Sequence, residues 1–496
     1  MTANHGMMEV ERWGRFELDL EGPKEGNPFN NIELKAVFSY ENRSIQVDGF
    51  YDGEGQYKVR FMPDKLGEWN FTTICNHDTL NKKQGSFTCI APRENNHGPV
   101  RADSQAHFAY ADGTPFYPFG TTAYVWNHQG EELERKTLET LKNAPFNKIR
   151  MCVFPKHYDY NLHEPADFPF VGSKAEGFDF SQFNPNFFAK LEKQIDELNE
   201  LGIEADLILF HPYDRWGFSD LGTEGDDRYL KYVVARLGSF RNIWWSLANE
   251  YDLMNEYLKT KKMADWDRFF QIIQEKDPYQ HLSSIHNWHN PEIHYRNNNH
   301  WYDHNKPWVS HASIQHHDNY FVPEWRETYR KPIINDECRY EGNINHGWGN
   351  IMAQKMVQLF WEGVCRGGYV THGETYMHPE GIIWWSHGGE LHGDSPERIA
   401  FLRRIMEDGP AKRLTPIYYG WDVAAGKMGE EYILAYFGDS RPSFKILPLP
   451  EGKRYKVELI DTWEMKIIPL EGTYTNESKI KLPGKPYIAL RITETE

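Results

Sequence analysis

Short apolar segments alternate with helical segments through the middle of the chain, and this alternation constrains the fold more than any other feature. Several of the segments are apolar throughout, as parallel strands covered on both faces are. Amphipathic helices are predicted between most of them, as where Phe187, Leu191 and Ile195 share one face. The eight predicted strands are 116–121, 148–154, 204–210, 243–247, 282–286, 308–314, 332–336 and 368–371. This order predicts an α/β fold, a (β/α)8 or TIM barrel.

A doubly wound open sheet is the alternative for such a pattern. That fold usually carries a glycine-rich phosphate-binding fingerprint after its first strand. Here the first strand runs into Gly120-Thr121-Thr122-Ala123, and neither GxGxxG nor a Walker sequence occurs. The sequence therefore favours the closed barrel.

The regions on either side of the barrel have the pattern of β-domains. In the N-terminal region, segments rich in β-forming residues are separated by turn residues such as Asp48-Gly49. They predict a β-sandwich, with strands at 32–40, 56–61 and 69–74. The C-terminal region predicts a small β-sheet domain, with strands at 431–437, 454–460, 480–482 and 487–492. We expect three domains, at 1–98, 99–410 and 411–496.

Charge and cysteine content restrict the partners and the compartment. The net charge of −17 argues against nucleic acid or an anionic membrane as a partner. No apolar run reaches the ~20 residues of a membrane helix, and residues 1–16 lack the apolar core of a signal peptide. The five cysteines show no metal-type spacing and predict reduced thiols, with a Cys75–Cys89 pair as the alternative for an exported protein. A cytoplasmic location is expected.

Polar and aromatic residues follow the predicted barrel strands. Because catalytic groups of such barrels lie at the carboxyl ends of the strands, these residues are the candidates for a functional site. Strand two itself contributes Arg150. The others are His211 after strand three, Asn249 and Glu250 after four, Trp288 and His289 after five, His316 and His317 after six, Glu337 after seven, and His372 and Glu374 after eight. A barrel with only a structural role would not need this set.

Two glutamates in this set have the arrangement that glycoside hydrolysis requires. Strands four and seven face each other across a barrel, so Glu250 and Glu337 can meet over its mouth. In a retaining enzyme two carboxyl groups ~5–5.5 Å apart act as nucleophile and acid/base. Glu250 ends an apolar strand, which suits an acid of raised pKa. Glu337 must stay ionised as nucleophile, and Arg150 could provide the compensating charge.

Other carboxylates and aromatics have supporting or competing roles. Asp336 and Glu341 are the rivals of Glu337 for the nucleophile role. Glu374 is assigned to sugar hydroxyls. Trp384, in the pair Trp384-Trp385, is a candidate sugar-stacking platform, and a core role for one of the two tryptophans stays open.

Nine histidines between His281 and His317 raise the possibility of a metal site. Metal hydrolases on this fold usually place paired histidines on the first strand, and 121–126 contains none. Neither HExxH nor the GxSxG of serine esterases occurs. We therefore expect neither a metal nor a cofactor, and assign His211, His316 and His372 to sugar contacts.

The Asn-Glu after strand four, the Glu after strand seven and the Arg of strand two together resemble clan GH-A, the large clan of retaining glycosidases on (β/α)8 barrels. The resemblance implies that Glu250 is the acid/base, Glu337 the nucleophile, Asn249 a donor to the sugar 2-hydroxyl and Arg150 a partner of Glu337. Related barrels often place a tyrosine after strand six to hold the nucleophile, whereas this chain has His316-His317 there.

The likeness extends over nearly the whole chain. The barrel resembles the apiosidase-like glycosidases, the N-terminal region resembles a β-sandwich domain of unknown function that commonly precedes such barrels, and the tail resembles their C-terminal sheet domain. The motifs are ERWGRF at 11–16, LEGP at 20–23, GNPF at 26–29, FYDG at 50–53, EYILAYFG at 431–438 and LPGKPY at 482–487.

Together these features predict a retaining exo-glycosidase that cleaves small oligosaccharides or glycosides without a cofactor. Its partner would be a small carbohydrate, and a homo-oligomer is possible. The alternatives are a barrel that binds carbohydrate without hydrolysing it and a metal-dependent hydrolase of another bond.

Overall fold

The structure is a computed structural model, and it describes residues 8–288, 301–377, 380–408 and 413–495. The candidate residue His289 lies outside this range. Three regions of different architecture follow one another along the chain, and the central one carries the candidate residues.

The N-terminal region is a β-sandwich, as predicted. Its elements are β1 (Glu9–Glu11), β2 (Phe16–Glu21), α1 (Pro28–Asn31), β3 (Leu34–Tyr40), β4 (Arg43–Asp48), β5 (Phe50–Gly53), β6 (Gln56–Phe61), β7 (Gly67–Cys75) and β8 (Gln84–Ile90). One sheet has the strand order β1-β8-β7-β3-β4 and the other β2-β6-β5. Side chains of β7 alternate between buried and accessible, so each sheet turns one face to a core that includes Phe16, Phe38 and Phe87.

The central region begins with a small sheet of β9 (Val100–Ala102), β10 (Phe108–Tyr110) and β11 (Pro115–Phe116). The eight strands of the barrel are β12 (Phe119–Thr122), β13 (Lys148–Cys152), β16 (Glu204–Phe210), β17 (Ile243–Ala248), β18 (Ser283–Ser284), β19 (Ala312–Gln315), β20 (Ile333–Glu337) and β22 (Tyr369–His372). The short hairpins and bridges outside the barrel wall are β14 (Phe170–Ser173), β15 (Gly177–Phe183), β21 (Glu341–Gly342) and β23 (Glu374–Thr375).

Helices lie around the barrel strands. They are α2 (Glu131–Asn143), α3 (Pro185–Glu200), α4 (Gly222–Leu237), α5 (Tyr251–Leu253), α6 (Met263–Lys276), α7 (Val322–Tyr329), α8 (Ala353–Cys365), α9 (Trp384–His387) and α10 (Ser395–Asp408), with a 3-10 turn at Trp126–His128 and a π-turn at Met254–Leu258. Buried apolar residues of α3 and α4 pack on β13 and β16 in one large core.

The barrel strands are parallel and nearly closed. Their order is β18-β17-β16-β13-β12-β22-β20-β19, and a bridge between His286 and Ser313 joins the two outermost strands. All eight predicted strands are present, which confirms the (β/α)8 prediction. The first begins at Phe119 rather than 116, because Pro118 has no N–H to continue the ladder and Phe116 pairs with β10 instead.

The C-terminal region is a sheet domain that packs on the barrel. Its strands are β24 (Thr415–Pro416), β25 (Ala424–Met428), β26 (Tyr432–Tyr436), β27 (Phe444–Ile446), β28 (Tyr455–Asp461), β29 (Lys466–Pro469), β30 (Lys479–Lys481) and β31 (Ile488–Glu494). Six of them form the sheet β24-β25-β26-β31-β28-β29. Tyr432, Leu434 and Tyr436 on one face of β26 share a core with α8.

The structure describes all five cysteines and the apolar character of the helices. All five cysteines are free, buried thiols, so Cys75 and Cys89 are not bonded to each other. Within the described residues, no helix combines the length and apolar character that a membrane crossing requires.

Candidate active site

Glu250 follows β17 in an uncommon backbone conformation. Every residue of β17 is buried, and at Glu250 the chain turns with φ 52° and ψ 53°, the left-handed region. Such a conformation costs a non-glycine residue on the order of 1 kcal/mol and persists only where its surroundings hold it. Here the N–H of Asn249 donates to Phe210 O at 3.0 Å and that of Tyr251 to His286 O at 3.1 Å. The turn directs the Glu250 side chain to the hydroxyl of Tyr213, which donates to it.

Arg150 connects the ends of strands four and seven. It lies in the middle of β13, and its guanidinium is fully buried. One nitrogen, Nη2, donates to Asn249 Oδ1 at 3.0 Å, and the other, Nη1, contacts Glu337 Oε1 at 3.5 Å. The Tyr124 hydroxyl also donates to Asn249 Oδ1, at 3.0 Å. Arg150, Asn249, Glu250 and Glu337 are therefore brought together at one mouth of the barrel.

A buried ionic layer lies beneath this mouth, inside the barrel. Lys148 Nζ is 2.8 Å from Asp336 Oδ1 and 2.7 Å from Asp206 Oδ2. Burial alone would raise the pKa of Asp336, but Lys148 and Arg150 hold that pKa well below its usual range. Asp336 thus neutralises cations within the barrel, one residue before Glu337.

The two candidate catalytic carboxyl groups both have raised pKa values. Burial raises the pKa of Glu250, against the opposing effects of Lys156, the Tyr213 hydroxyl and Arg150. Burial raises the pKa of Glu337 to about 8. The Arg150 contact does not offset this, because it is long and Arg150 also faces Asp206 and Asp336. Without substrate, the pair can therefore hold a proton at neutral pH.

An aromatic cage surrounds a buried lysine beside Glu250. Lys156 is 2% exposed, and its Nζ lies 3.7 Å from the ring centre of Tyr124, 4.2 Å from Tyr213, 4.4 Å from Tyr158 and 5.3 Å from Trp385. Burial lowers the pKa of Lys156 to about 8. The cage keeps a positive charge next to the candidate acid/base while excluding water from it.

His211 and Trp288 lie around the mouth, whereas the ring of His316 packs against Phe321 and Trp325 of the surrounding helical layer. His211 Nδ1 accepts the backbone N–H of Tyr213 at 3.2 Å, so this histidine positions the residue that contacts Glu250. The backbone N–H of His316 donates to Glu337 O at 3.1 Å, while its ring lies beside Trp325. Trp288 follows strand five, and its backbone N–H donates to Asp252 Oδ1 at 2.7 Å.

The structure does not bring His372, Glu374 and Trp384 into contact with the carboxyl pair. His372 and Glu374 lie outside the barrel wall beside Glu341, and all three are buried. The Trp384 indole donates to Thr121 Oγ1 at 2.9 Å. Its neighbour Trp385 is the tryptophan beside Lys156, because one step along a helical turn rotates a side chain by ~100°.

Four residues of the mouth were missed by the sequence reasoning: Tyr124, Lys156, Tyr213 and Tyr340. The Tyr340 hydroxyl has no hydrogen-bond partner in the described chain, yet it lies close enough to Glu337 to lower its pKa. A tyrosine thus faces the candidate nucleophile, and it comes from the segment after strand seven rather than strand six. Extending the list of candidates to three or so residues past each strand end would have included Tyr213 and Tyr340.

A (β/α)8 barrel with carboxylates after strands four and seven and an arginine between them is the architecture of glycoside hydrolases. The family described as "Apiosidase-like, catalytic domain" matches residues 102–417, and domains of unknown function match 9–76 and 421–493. The chain belongs to this apiosidase-like family of glycoside hydrolases. No curated protein matches it.

Solved structures agree with this assignment. The chain is 40% identical to a glycoside hydrolase candidate from Bacteroides vulgatus, with a TM-score of 0.91 over 98% of this chain and 100% of that one. A family 5 glycoside hydrolase from the same organism has a TM-score of 0.62 at 16% identity, over 80% of this chain and 94% of that one. A further glycoside hydrolase has a TM-score of 0.60 at 16% identity, over 80% and 97%. The last two show a shared fold.

Proposed function

We propose that the protein is a retaining exo-glycosidase in which Glu337 is the nucleophile and Glu250 the acid/base. Glu337 attacks the anomeric carbon and forms a glycosyl-enzyme while Glu250 gives its proton to the departing oxygen. Glu250 then takes a proton from water, which attacks the anomeric carbon and releases the sugar and Glu337. Asn249 hydrogen-bonds the sugar 2-hydroxyl, and no cofactor takes part.

The observation that carries this proposal is the position of Arg150. Its guanidinium contacts Asn249 on strand four and Glu337 on strand seven, so one fixed cation orients both sides of the mouth. As a sugar displaces water, the Arg150 charge and the Tyr340 hydroxyl favour the ionised form of Glu337. The proton then stays on Glu250, whose raised pKa suits a general acid.

The finer parts of the proposal concern substrate and organisation. Exo action on small glycosides fits the nearly complete burial of both carboxyl groups, which are 5% and 7% exposed. The family description makes apiosides the first sugars to test. We also propose domains at 1–98, 99–410 and 411–496. A reducing compartment and a homo-oligomer remain predictions.

Hydrolysis of aryl glycosides, including pentosides and apiosides, by wild type and Glu337→Gly tests the proposal. We expect wild type to cleave one of the sugars, and the variant to lose that activity by at least ~1,000-fold and regain it with azide. Azide occupies the space of the carboxylate and attacks from the same face. Glu204→Gln, which changes a buried glutamate at the start of β16, is the control and should keep wild-type activity with and without azide.

Two outcomes of this experiment would contradict the proposal. Full activity of Glu337→Gly would exclude Glu337 as nucleophile. Binding of a sugar without turnover by wild type would favour a carbohydrate-binding barrel.

A further inference from the structure

Three buried side chains with metal-ligating groups converge on the outer side of the barrel, away from the carboxyl pair. They are Glu341 on β21, His372 at the end of β22 and Glu374 on β23, and none is more than 1% exposed. One ligand atom of each lies within 4.8 Å of the others. Glu341 and Glu374 are register partners of two parallel strands, which holds their carboxylates side by side.

The cluster is separated from the catalytic mouth by the barrel wall. The Thr371 hydroxyl donates to Asp336 inside the barrel, at 2.7 Å. Because successive residues of a strand face opposite sides, His372 faces the outer layer. A cation bound there would be structural rather than catalytic.

The surroundings of the two carboxylates lack a compensating charge within the described residues. No Lys or Arg within the described residues lies within 4.0 Å of either carboxylate. In the described chain they accept from neutral groups. Glu374 accepts from the backbone N–H groups of His392 and Gly393, and Glu341 accepts from the Tyr376 hydroxyl at 3.2 Å and from the backbone N–H groups of Asp394 and Ser395 at 2.9 and 3.2 Å. Each carboxylate oxygen has two lone pairs, so these bonds leave acceptor positions for an ion. When both groups are ionised, two like charges lie buried side by side, which is costly unless a positive charge joins them.

The histidine has the arrangement of a metal ligand. His372 Nδ1 lies 3.0 Å from Thr121 Oγ1, which Trp384 in turn holds, and Phe146 stacks on the imidazole at 4.7 Å. Its other nitrogen, Nε2, is buried and has no hydrogen-bond partner among the residues that the structure describes. Histidines that bind metals use one nitrogen for the ion and the other for an oriented oxygen. Thr121 supplies that oxygen, so Nε2 is the nitrogen left for an ion.

We propose that Glu341, His372 and Glu374 bind a first-row divalent cation, Zn²⁺ or Mn²⁺, in a structural site. One imidazole and two carboxylates suit these ions, whereas Mg²⁺ and Ca²⁺ prefer oxygen ligands alone. The ion links the segments after strands seven and eight and, through the N–H groups on the two carboxylates, the start of α10. It also fixes Tyr340, the residue before Glu341, which faces Glu337. The site departs from the expectation of no metal in this chain.

Thermal unfolding of the full-length protein, stripped with a chelator and then supplied with ZnCl2 or MnCl2, tests the site. We expect binding of one equivalent and a rise in Tm of several degrees, because an ion bound only by the folded state stabilises it. CaCl2 and MgCl2 should leave Tm nearly unchanged. Glu374→Gln and His372→Gln should lose the rise. Glu204→Gln, which changes a buried glutamate elsewhere, should keep it.

Two results would overturn the proposal. An unchanged Tm of wild type with both Zn²⁺ and Mn²⁺ would mean that the carboxylates share a proton instead of an ion. An equal rise in His372→Gln and Glu374→Gln would assign the binding to surface histidines.

A spectroscopic measurement on wild type covers the case in which these variants fail to fold. Co²⁺ should give a visible absorption band that Zn²⁺ abolishes, and no such band would contradict the site. None of these readouts depends on glycosidase activity, so the cation site and the proposed function fail or stand separately.

Discussion

The candidate catalytic pair is defined by two glutamates whose surroundings differ. Glu250 has a left-handed backbone, a tyrosine donor and a caged lysine beside it, whereas Glu337 has Arg150 at 3.5 Å and the Tyr340 hydroxyl. Such differences let two chemically identical groups take different protonation states in one reaction. Burial raises both pKa values, but the groups that oppose burial differ between the two glutamates.

The pH dependence of kcat/KM follows from this pair. Catalysis needs Glu337 ionised, and its pKa is raised from 4.5 to about 8, so activity is lost as the pH falls below that region. Catalysis also needs the proton on Glu250, and burial raises the pKa of that carboxyl as well, so activity is lost again as the pH rises above it. We expect a bell with low activity at pH 5 and a maximum at mildly alkaline pH. A profile that is flat from about pH 4 to 9, or already maximal at pH 5, would contradict the assignment.

Lys156 tunes Glu250 through its charge. The lysine lowers the pKa of Glu250, so Lys156→Met should raise that pKa further and move the alkaline limb of the kcat/KM profile upward. Methionine fills a similar volume in the cage, which limits the effect on packing. Lys136→Met, at an exposed site on α2, is the control and should leave the profile unchanged. An alkaline limb that stays in place in Lys156→Met would show that the lysine only fills space.

At the scale of elements, strands two, three and seven are tied together inside the barrel by charges. Lys148 on β13 contacts Asp206 on β16 and Asp336 on β20, all three within 2.8 Å and almost completely buried. This layer also fixes the strands that carry Arg150 and Glu337. The stability of the barrel and the alignment of its mouth thus depend on the same side chains.

Asp336→Asn should destabilise the barrel strongly. It leaves Lys148 with Asp206 alone, and breaking a buried ion pair costs ~3–5 kcal/mol. Glu139→Gln, which breaks an exposed pair with Arg135 on α2, should cost under ~0.5 kcal/mol. The free energies of unfolding from denaturant titrations measure both. Similar small changes in the two variants would show that the layer does not hold the strands together.

At the scale of the whole molecule, burial dominates the titration behaviour. Burial lowers the pKa of His107 to about 4 and those of His128 and His311 to about 3. Burial also raises the pKa values of Glu204 and Asp252 to about 8. These groups are neutral in the folded chain and charged, over different pH ranges, in the unfolded one.

The Tm of the protein should therefore be highest near pH 6.5. Below that pH the unfolded chain protonates histidines that the folded chain keeps neutral, so stability falls on acidification. Carboxyl groups whose pKa values are raised by folding act in the opposite sense. Their contribution to stability is lost as the pH rises from the pKa that they have in the unfolded chain toward about 8. Between about pH 7 and 8 only this second effect remains, at up to ~1.4 kcal/mol per pH unit for each group.

Calorimetry from pH 5 to 8.5 checks this dependence. Glu204→Gln, which cannot ionise, should flatten the alkaline side of the Tm curve and leave the acid side unchanged. A Tm that rises steadily up to pH 8 would contradict the assignment of these buried carboxyl groups.

The sequence by itself determined the architecture and the candidate residues on or after strands two, four and seven. Eight apolar segments separated by amphipathic helices specify a barrel because strand and helix periodicities are local properties of the chain. Arg150, Asn249, Glu250 and Glu337 follow from the rule that strand ends of a barrel meet at one mouth.

Only the tertiary structure decided which loop residues complete the mouth and which strand-end residues lie elsewhere. Trp385 rather than Trp384 faces Lys156, and Tyr340 rather than a residue after strand six faces Glu337. Glu374 lies with Glu341 and His372 outside the wall. Loops lack a regular period, so the direction of their side chains depends on packing between residues far apart in the sequence, which no local pattern encodes.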